Sequence, residues 1–214
     1  MKVLANDGVS KSGIDSLEKA GFEVITTTVA QEQLIEYIND HQIDVILVRS
    51  ATKVRKDIID SCPSIKIIGR GGVGMDNIDV DYAKSKDIKV INTPAASSAS
   101  VAELVFAHLF GGVRFLYDSN RNMPLDGDSK FKELKKNYGG GRELRGKTLG
   151  IVGLGRIGQE VAKIGIGCGM KVIASDKFME TTTISVAFYD KQKLDFKIQT
   201  IPFEQLLKES DFIS

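Results

Sequence analysis

The 214-residue sequence predicts an α/β protein built as two doubly wound, parallel-sheet domains. Short β-branched runs alternate with helix-patterned stretches from residue 2 to residue 92, and the same rhythm restarts at Thr148. A long apolar helical stretch and a polar, Lys- and Gly-rich connector separate the two series. Strands divided by helices pair in parallel, with helices covering both faces of the sheet.

The first series reads as five strands: "KVLAN" (2–6), "FEVIT" (22–26), "DVILV" (44–48), "IKIIG" (65–69) and "IKVIN" (88–92). Between them "SGIDSLEKAG", "AQEQLIEYINDH", "RKDIIDSC" and "NIDVDYAKSK" space their apolar residues as helices do, with Gly21 placed to cap the first. A long helical stretch is expected over 100–120 ("SVAELVFAHLFGGVRFLYDSN"), followed by connector up to Gly146. The second series is strand "TLGIVG", a helix from about Arg156, strand "KVIASD" (171–176), a short strand near "IQTI", helix "FEQLLKES" and the start of a strand at "DFIS". The domains are therefore set at 1–98 and 99–214, the second expected to lack its C-terminal part. Such an ending would leave the central strand beside a stub and an open apolar edge, which favours aggregation. Gly165 and Gly167 interrupt the helical pattern after Arg156, each at a cost of up to about 1 kcal/mol relative to Ala, with close helix packing or an early helix end as the explanations.

Composition narrows the function classes. Twenty-nine basic residues against twenty-eight acidic ones argue against a nucleic-acid or polyanion surface. No apolar run reaches the length of a membrane span, and "MKVLANDG" turns polar too early for a signal peptide, so a cytoplasmic protein is expected. Cys62 and Cys168 lack CxxC partners and only two histidines exist, so neither a disulfide frame nor a metal site is expected.

Two nucleotide-binding patterns overlap in "GRELRGKTLGIVGLGRIG" (141–158). Gly141 to Thr148 satisfies the P-loop formula, but it follows a connector and precedes a strand. A P-loop needs the reverse, a strand running into a helix N-terminus whose N–H groups surround phosphate. That match is read as accidental. Gly153, Gly155 and Gly158 have the correct setting, after a strand and opening a helix. The first glycine allows the tight turn, the second the approach of a pyrophosphate, the third close helix–strand packing. Gly69, Gly71 and Gly74 also fit the formula, so the end of the next strand decides. Eighteen residues after Gly158 stands Asp176, able to accept from ribose hydroxyls; eighteen after Gly74 stands Asn92. Asp176 would repel a 2′-phosphate, which favours NAD over NADP, and Lys177 only softens this. The plain alternative is a glycine-rich turn with a surface Asp.

Taken together, "VRSATKV" (48–54), "GRGGVGMDNIDV" (69–80), "INTPAASSASVAELVFAHL" (91–109), "LRGKTLGIVGLGRIGQEVA" (144–162) and "GMKVIASD" (169–176) resemble the D-isomer-specific 2-hydroxyacid dehydrogenases, and within them the phosphoglycerate branch. The resemblance implies a flavodoxin-like substrate domain and a Rossmann domain binding NAD, with the active site in the cleft between them. It implies NAD-dependent oxidation of D-3-phosphoglycerate, a phosphorylated 2-hydroxy acid, as the first step of serine synthesis. By the same resemblance, Gly72, Val73 and Gly74 offer backbone N–H groups to the substrate carboxylate, Arg49 and Ser50 contact substrate, and Lys53 assists with phosphate. Arg156 and Ile157 turn their backbone to the pyrophosphate, and the 100–120 region forms a homodimer contact. Solvated surface charge is the alternative for Arg49 and for Lys53.

Proton and hydride transfer also need a base and a carbonyl-polarising cation. The resemblance places that Arg, Glu and His beyond residue 214, so no catalytic residue is assigned and the 214-residue chain alone is expected to be inactive. His41 is expected to face water, and His108 to be packed or interfacial. Three alternatives stand beside the leading reading: a dehydrogenase of glyoxylate, hydroxypyruvate or lactate, a non-catalytic NAD-binding or dimerisation module, and a phosphotransferase that would require the P-loop match.

Overall fold

The computed structural model describes residues 1–214, which form two compact units, Met1–Ser97 and Ser98–Ser214. The first unit contains strands β1 (Lys2–Ala5), β2 (Glu23–Ile25), β3 (Val45–Val48), β4 (Ile67–Arg70) and β5 (Lys89–Asn92), with helices α1 (Lys11–Lys19), α2 (Leu34–His41), α3 (Lys56–Ser61) and α4 (Val80–Ser85) between them. Every strand pair is parallel, in the order β2-β1-β3-β4-β5. This is the flavodoxin-like order. The core is aliphatic: Leu4, Ile46 and Ile68 on the strands and Leu34, Ile38 and Ile58 on the helices are all buried. Gly21, at φ +86°, closes α1 by donating its N–H to the Glu18 carbonyl at 2.9 Å.

The second unit opens with α5 (Ser98–Val113), α6 (Leu116–Asp126) and α7 (Phe131–Tyr138). The helical stretch expected over 100–120 is present as two helices, because Phe115 takes a left-handed φ of 54° and α6 leaves α5 at 55°. The connector expected up to Gly146 holds α7, anchored by the buried Leu134. No single helix is long and apolar enough to cross a membrane.

The sheet of this unit is formed by β6 (Thr148–Val152), β7 (Lys171–Ser175) and β10 (Phe212–Ile213), with α8 (Arg156–Gly167) and α9 (Phe203–Glu209) as its helices. Its order is β10-β6-β7, all parallel. A parallel bridge from Ala174 to Thr200 adds the beginning of a further position beyond β7, so the first βαβ unit and its switch to β10 follow the Rossmann order.

Where a crossover helix would be the rule, β8 (Thr181–Ala187) and β9 (Lys193–Gln199) instead form an antiparallel hairpin. The sequence reading caught only the end of it, near "IQTI". Its turn carries neither Gly nor Pro; Lys191 takes the left-handed φ of 68°, and the Gln192 carbonyl receives the Phe188 N–H at 2.9 Å. The hairpin is held by Ile184 and Ile198, both buried in the same core as Leu149, Ile151 and Val161.

Helix α8 runs through Gly165 and ends at Gly167. The two glycines differ. A Cβ on Gly165 would lie 3.0 Å from Leu149 Cδ2 and 3.2 Å from Val172 Cγ2, so the missing side chain is what lets α8 lie close on the sheet. A Cβ on Gly167 would meet nothing within 4 Å. Gly165→Val should therefore destabilise the protein by about 1–3 kcal/mol through overpacking. Gly167→Ala should raise stability by up to about 1 kcal/mol through helix propensity. Urea unfolding of both variants checks the pair.

Candidate functional site

At the end of β6 the chain turns on Gly153, whose φ of +95° is one that L side chains rarely adopt, and its N–H donates to the Ser175 carbonyl at 2.8 Å. Gly155 caps α8 in extended conformation, with open space where its Cβ would stand. Gly158 is buried, and a Cβ there would run into the Gly153 carbonyl. The three glycines thus answer three separate demands: a dihedral, an approach and a packing contact. The N–H groups of Gly155, Arg156 and Ile157 have no acceptor within the protein. They lie at the positive end of the α8 dipole, an arrangement that suits an anion such as a pyrophosphate.

Asp176 stands just past β7, and its carboxylate is tied to this loop. Oδ2 accepts the Leu154 N–H at 2.7 Å, while Oδ1 accepts those of Phe178 at 2.7 Å and Met179 at 3.0 Å. The bonds from Phe178 and Leu154, and then from Met179, outweigh desolvation and hold the carboxyl below the ordinary aspartate value. A carboxylate has about four acceptor positions, and three donors leave one for a hydroxyl. Sequence reading found Asp176 by its spacing. Its bond to Leu154 had no sequence signal, because it depends on β6 and β7 being neighbours. Lys177 directs its ammonium over the Phe178 ring at 5.6 Å, away from any ion pair.

In the first unit, a hollow of about 300 Å³ opens at the carboxyl ends of β3, β4 and β5. Arg49, Arg70, Gly71, Asn92 and Thr93 line it together with apolar residues, and no acidic side chain does. Arg49 is exposed, its stem lies along Gly71 (3.5 Å from a Cβ placed there), and its guanidinium has no bonded partner. Ser50 and Lys53 are exposed on the same loop, and Gln31 brackets the Lys53 backbone with reciprocal amide bonds of 2.9 Å. Arg70 is the residue the sequence reading missed. It is half-buried over Gly72, and its Nε is buried without an acceptor. Its position inside the glycine-rich "GRGGVG", at the C-terminus of a strand, was the signal available.

The loop Gly72-Val73-Gly74 follows. The Gly72 N–H is already given to the Arg70 carbonyl at 2.9 Å, whereas those of Val73 and Gly74 are free. Two of the loop's three N–H groups are therefore open to a ligand. No helix begins behind this second GxGxxG until Val80. Asn92 uses its amide to donate to the Val73 carbonyl at 2.7 Å, so it fastens the loop rather than replacing an acid. The P-loop match also fails on geometry. Lys147 and Thr148 lead into β6, with the Lys147 ammonium 3.9 Å from Asp211 and the Thr148 N–H on the same carboxylate.

His41 is exposed, stacked on Tyr37 with centroids 4.0 Å apart. His108 is exposed on α5, beside Gly112 and Arg142, and is not packed into the core of its unit as one expected alternative had it. Burial pushes the Cys62 thiol up to about 11, so it is an inert core thiol. No three His, Cys, Asp or Glu side chains gather in metal-binding geometry.

Residues 3–200 match the family model of the D-isomer specific 2-hydroxyacid dehydrogenase, catalytic domain. Hydroxypyruvate reductase of Thermotoga maritima is 41% identical over 214 residues, all of this chain and 63% of that protein. D-3-phosphoglycerate dehydrogenase of Methanocaldococcus jannaschii is 41% identical over 179 residues, 84% of this chain and 33% of that protein. The crystal structure of NAD+-bound 3-phosphoglycerate dehydrogenase from Entamoeba histolytica superposes with a TM-score of 0.69 at 31% identity, covering the whole of this chain and 61% of that one. The chain belongs to the D-isomer-specific 2-hydroxyacid dehydrogenase family, and it spans between about a third and two thirds of the length of these relatives.

The carboxylates give a pH prediction. Asp7, Asp44 and Asp176 all titrate below their ordinary value in the folded chain. A depressed folded pKa adds stability above the unfolded value, about 3.9, and that contribution is lost as pH falls through the folded pKa. Urea midpoints should therefore hold steady from pH 7 to about 5 and decline below about 4. Asp176→Asn should flatten part of that decline.

Proposed function

We propose that the chain forms the substrate-binding unit and part of the NAD-binding unit of a D-2-hydroxyacid dehydrogenase, with 1–98 holding substrate and 99–214 holding NAD. The observation that carries the cofactor reading is the helix N-terminus with free N–H groups beside an anchored, ionised Asp176. Gly153, Gly155, Arg156, Ile157 and Gly158 would hold the pyrophosphate and Asp176 the adenosine ribose. Bound there, NAD would supply the hydride acceptor needed for oxidation at the substrate C2. Arg49 and Arg70 would hold the acid's charged groups by forked hydrogen bonds, with Ser50, Lys53 and the free N–H groups of Val73 and Gly74 beside them. Gly72 would serve by its shape. The base and the carbonyl-polarising cation are assigned to no residue of this chain.

For the substrate we favour D-3-phosphoglycerate, oxidised to 3-phosphohydroxypyruvate at the start of serine synthesis in the cytoplasm. The two arginines lining a hollow without acids support an anionic ligand, and Lys53, exposed on the loop that carries Arg49, adds a third positive charge for a doubly anionic one. Hydroxypyruvate is the second reading, favoured by the 41% identity to the Thermotoga reductase. A homodimer through α5 and α6 fits the exposed Leu104, Phe110, Leu116 and Tyr117.

Two measurements test this. In the native full-length protein, kcat/KM for D-3-phosphoglycerate should exceed that for unphosphorylated D-glycerate at least tenfold; the opposite ranking favours the hydroxypyruvate reading. Asp176→Asn should weaken NAD about ten- to hundredfold, the effect of losing a charge-assisted bond of about 1.5–3 kcal/mol. It should also narrow the preference over NADP, as titration calorimetry would show. The 214-residue chain expressed alone should bind NAD without turnover.

A further inference from the structure

The loop that carries Arg49 is held from both sides by two residues to which the proposed function gives no role. From one side Asp7, just past β1, takes its N–H groups. Oδ2 accepts from Arg49 N at 2.6 Å and Thr52 N at 3.1 Å, and Oδ1 accepts the Thr52 hydroxyl. From the other side Asn77 takes its carbonyls, with Nδ2 donating to Arg49 O at 2.8 Å and to Thr52 O at 2.6 Å. The division follows from chemistry. An ionised carboxylate can only accept, and an amide nitrogen can only donate. Desolvation pushes the Asp7 carboxyl up, but the Thr52 hydroxyl and the backbone N–H groups of Arg49, Thr52 and Ala51 outweigh it and keep the group ionised at neutral pH.

Two further details make the clamp specific to this loop. Asn6 continues it into the core, donating to the Thr52 hydroxyl oxygen at 2.8 Å and to the Val29 carbonyl at 3.1 Å. Asn77 is itself only 5% exposed and stands three residues after Gly74, so one amide links the Arg49 loop to the segment that follows the Gly72–Gly74 turn. Meanwhile the Arg49 guanidinium makes no bond of its own within the protein. Its backbone is fixed and its head is free, the arrangement of a side chain kept for a ligand.

We infer that Asp7 and Asn77 are positioning residues for substrate recognition, acting through Arg49 by fixing the backbone of residues 49–52. The inference deepens the reading of Arg49 under Proposed function and rests on it. Neither residue touches substrate in this scheme. Their effect should appear in substrate affinity, not in cofactor affinity, because the dinucleotide loop belongs to the other compact unit.

The test uses the native full-length protein with D-3-phosphoglycerate and NAD as probes. Asp7→Asn and Asn77→Asp keep side-chain size and reverse the bonding sense: the first sets an amide against N–H donors, the second a carboxylate against two carbonyls. Each should raise KM for the hydroxy acid at least tenfold while kcat changes less than threefold and KM for NAD less than twofold. Arg49→Gln should raise the same KM, and Asp7→Asn added to it should have less than a twofold further effect, since two residues acting through one contact are not additive. If the isosteric variants fail to fold, Thr52→Val removes only the hydroxyl's two bonds, to Asp7 and from Asn6, leaves the backbone bonds in place, and should still raise KM several-fold. Unchanged KM in Asp7→Asn or Thr52→Val beside a raised KM in Arg49→Gln overturns the clamp alone, as do additive effects or a matching rise in KM for NAD. Unchanged KM in Arg49→Gln overturns the substrate-site reading beneath it.

Discussion

A parallel sheet delivers all its strand ends to one edge, and there the chain must turn away with backbone N–H and C=O groups that no neighbouring strand can bond. Leaving such groups unpaired where they are buried is costly. This protein meets the constraint with polar side chains placed just past or at the end of one strand and bonded to the loop that leaves the next. Asp7 holds the loop after β3, Asn92 the loop after β4, and Asp176 the loop after β6. Each choice between acid and amide matches the sense of the group it meets. Asp7 and Asp176 receive N–H donors, and Asn92 supplies one to a carbonyl.

The same device separates the two glycine-rich loops. Behind Gly153–Gly158 the helix α8 begins at once, so free N–H groups and dipole converge, and an ionised carboxylate sits alongside. Behind Gly69–Gly74 there is no helix for several residues, the amide of Asn92 fastens the loop, and two arginines flank the hollow. One loop is therefore suited to a pyrophosphate with a ribose, the other to a small anion reached by guanidinium groups. Identical spacing of glycines has produced two different recognition surfaces because the following element differs.

Much of this was legible beforehand. The parallel strands of the first unit and the β6–α8–β7 unit stand out because β-branched runs and helical spacing alternate without ambiguity. Asp176 was legible through its distance from Gly158, and the accidental nature of the P-loop match through its order relative to a strand. The β8–β9 hairpin was not, since its turn "FYDKQ" lacks glycine and proline and a crossover helix is the prior for that place. The break at Phe115 was equally hidden: a left-handed phenylalanine carries no local signature, and Gly111 and Gly112 only weaken the helix before it.

Three things are written along the chain: the alternation that makes two parallel sheets, the glycines that shape each loop, and the motifs that carry the family. These follow from local spacing, dihedral preference and apolar periodicity. Tertiary structure alone decided which polar side chain holds which loop, that Gly72 spends its N–H on Arg70, and that Arg70 joins Arg49 at one hollow. The longest of those partnerships, in the Arg49 loop, join residues 45 and 46 positions apart through the register of neighbouring strands. Register is a property of the assembled sheet, and no single stretch of sequence contains it.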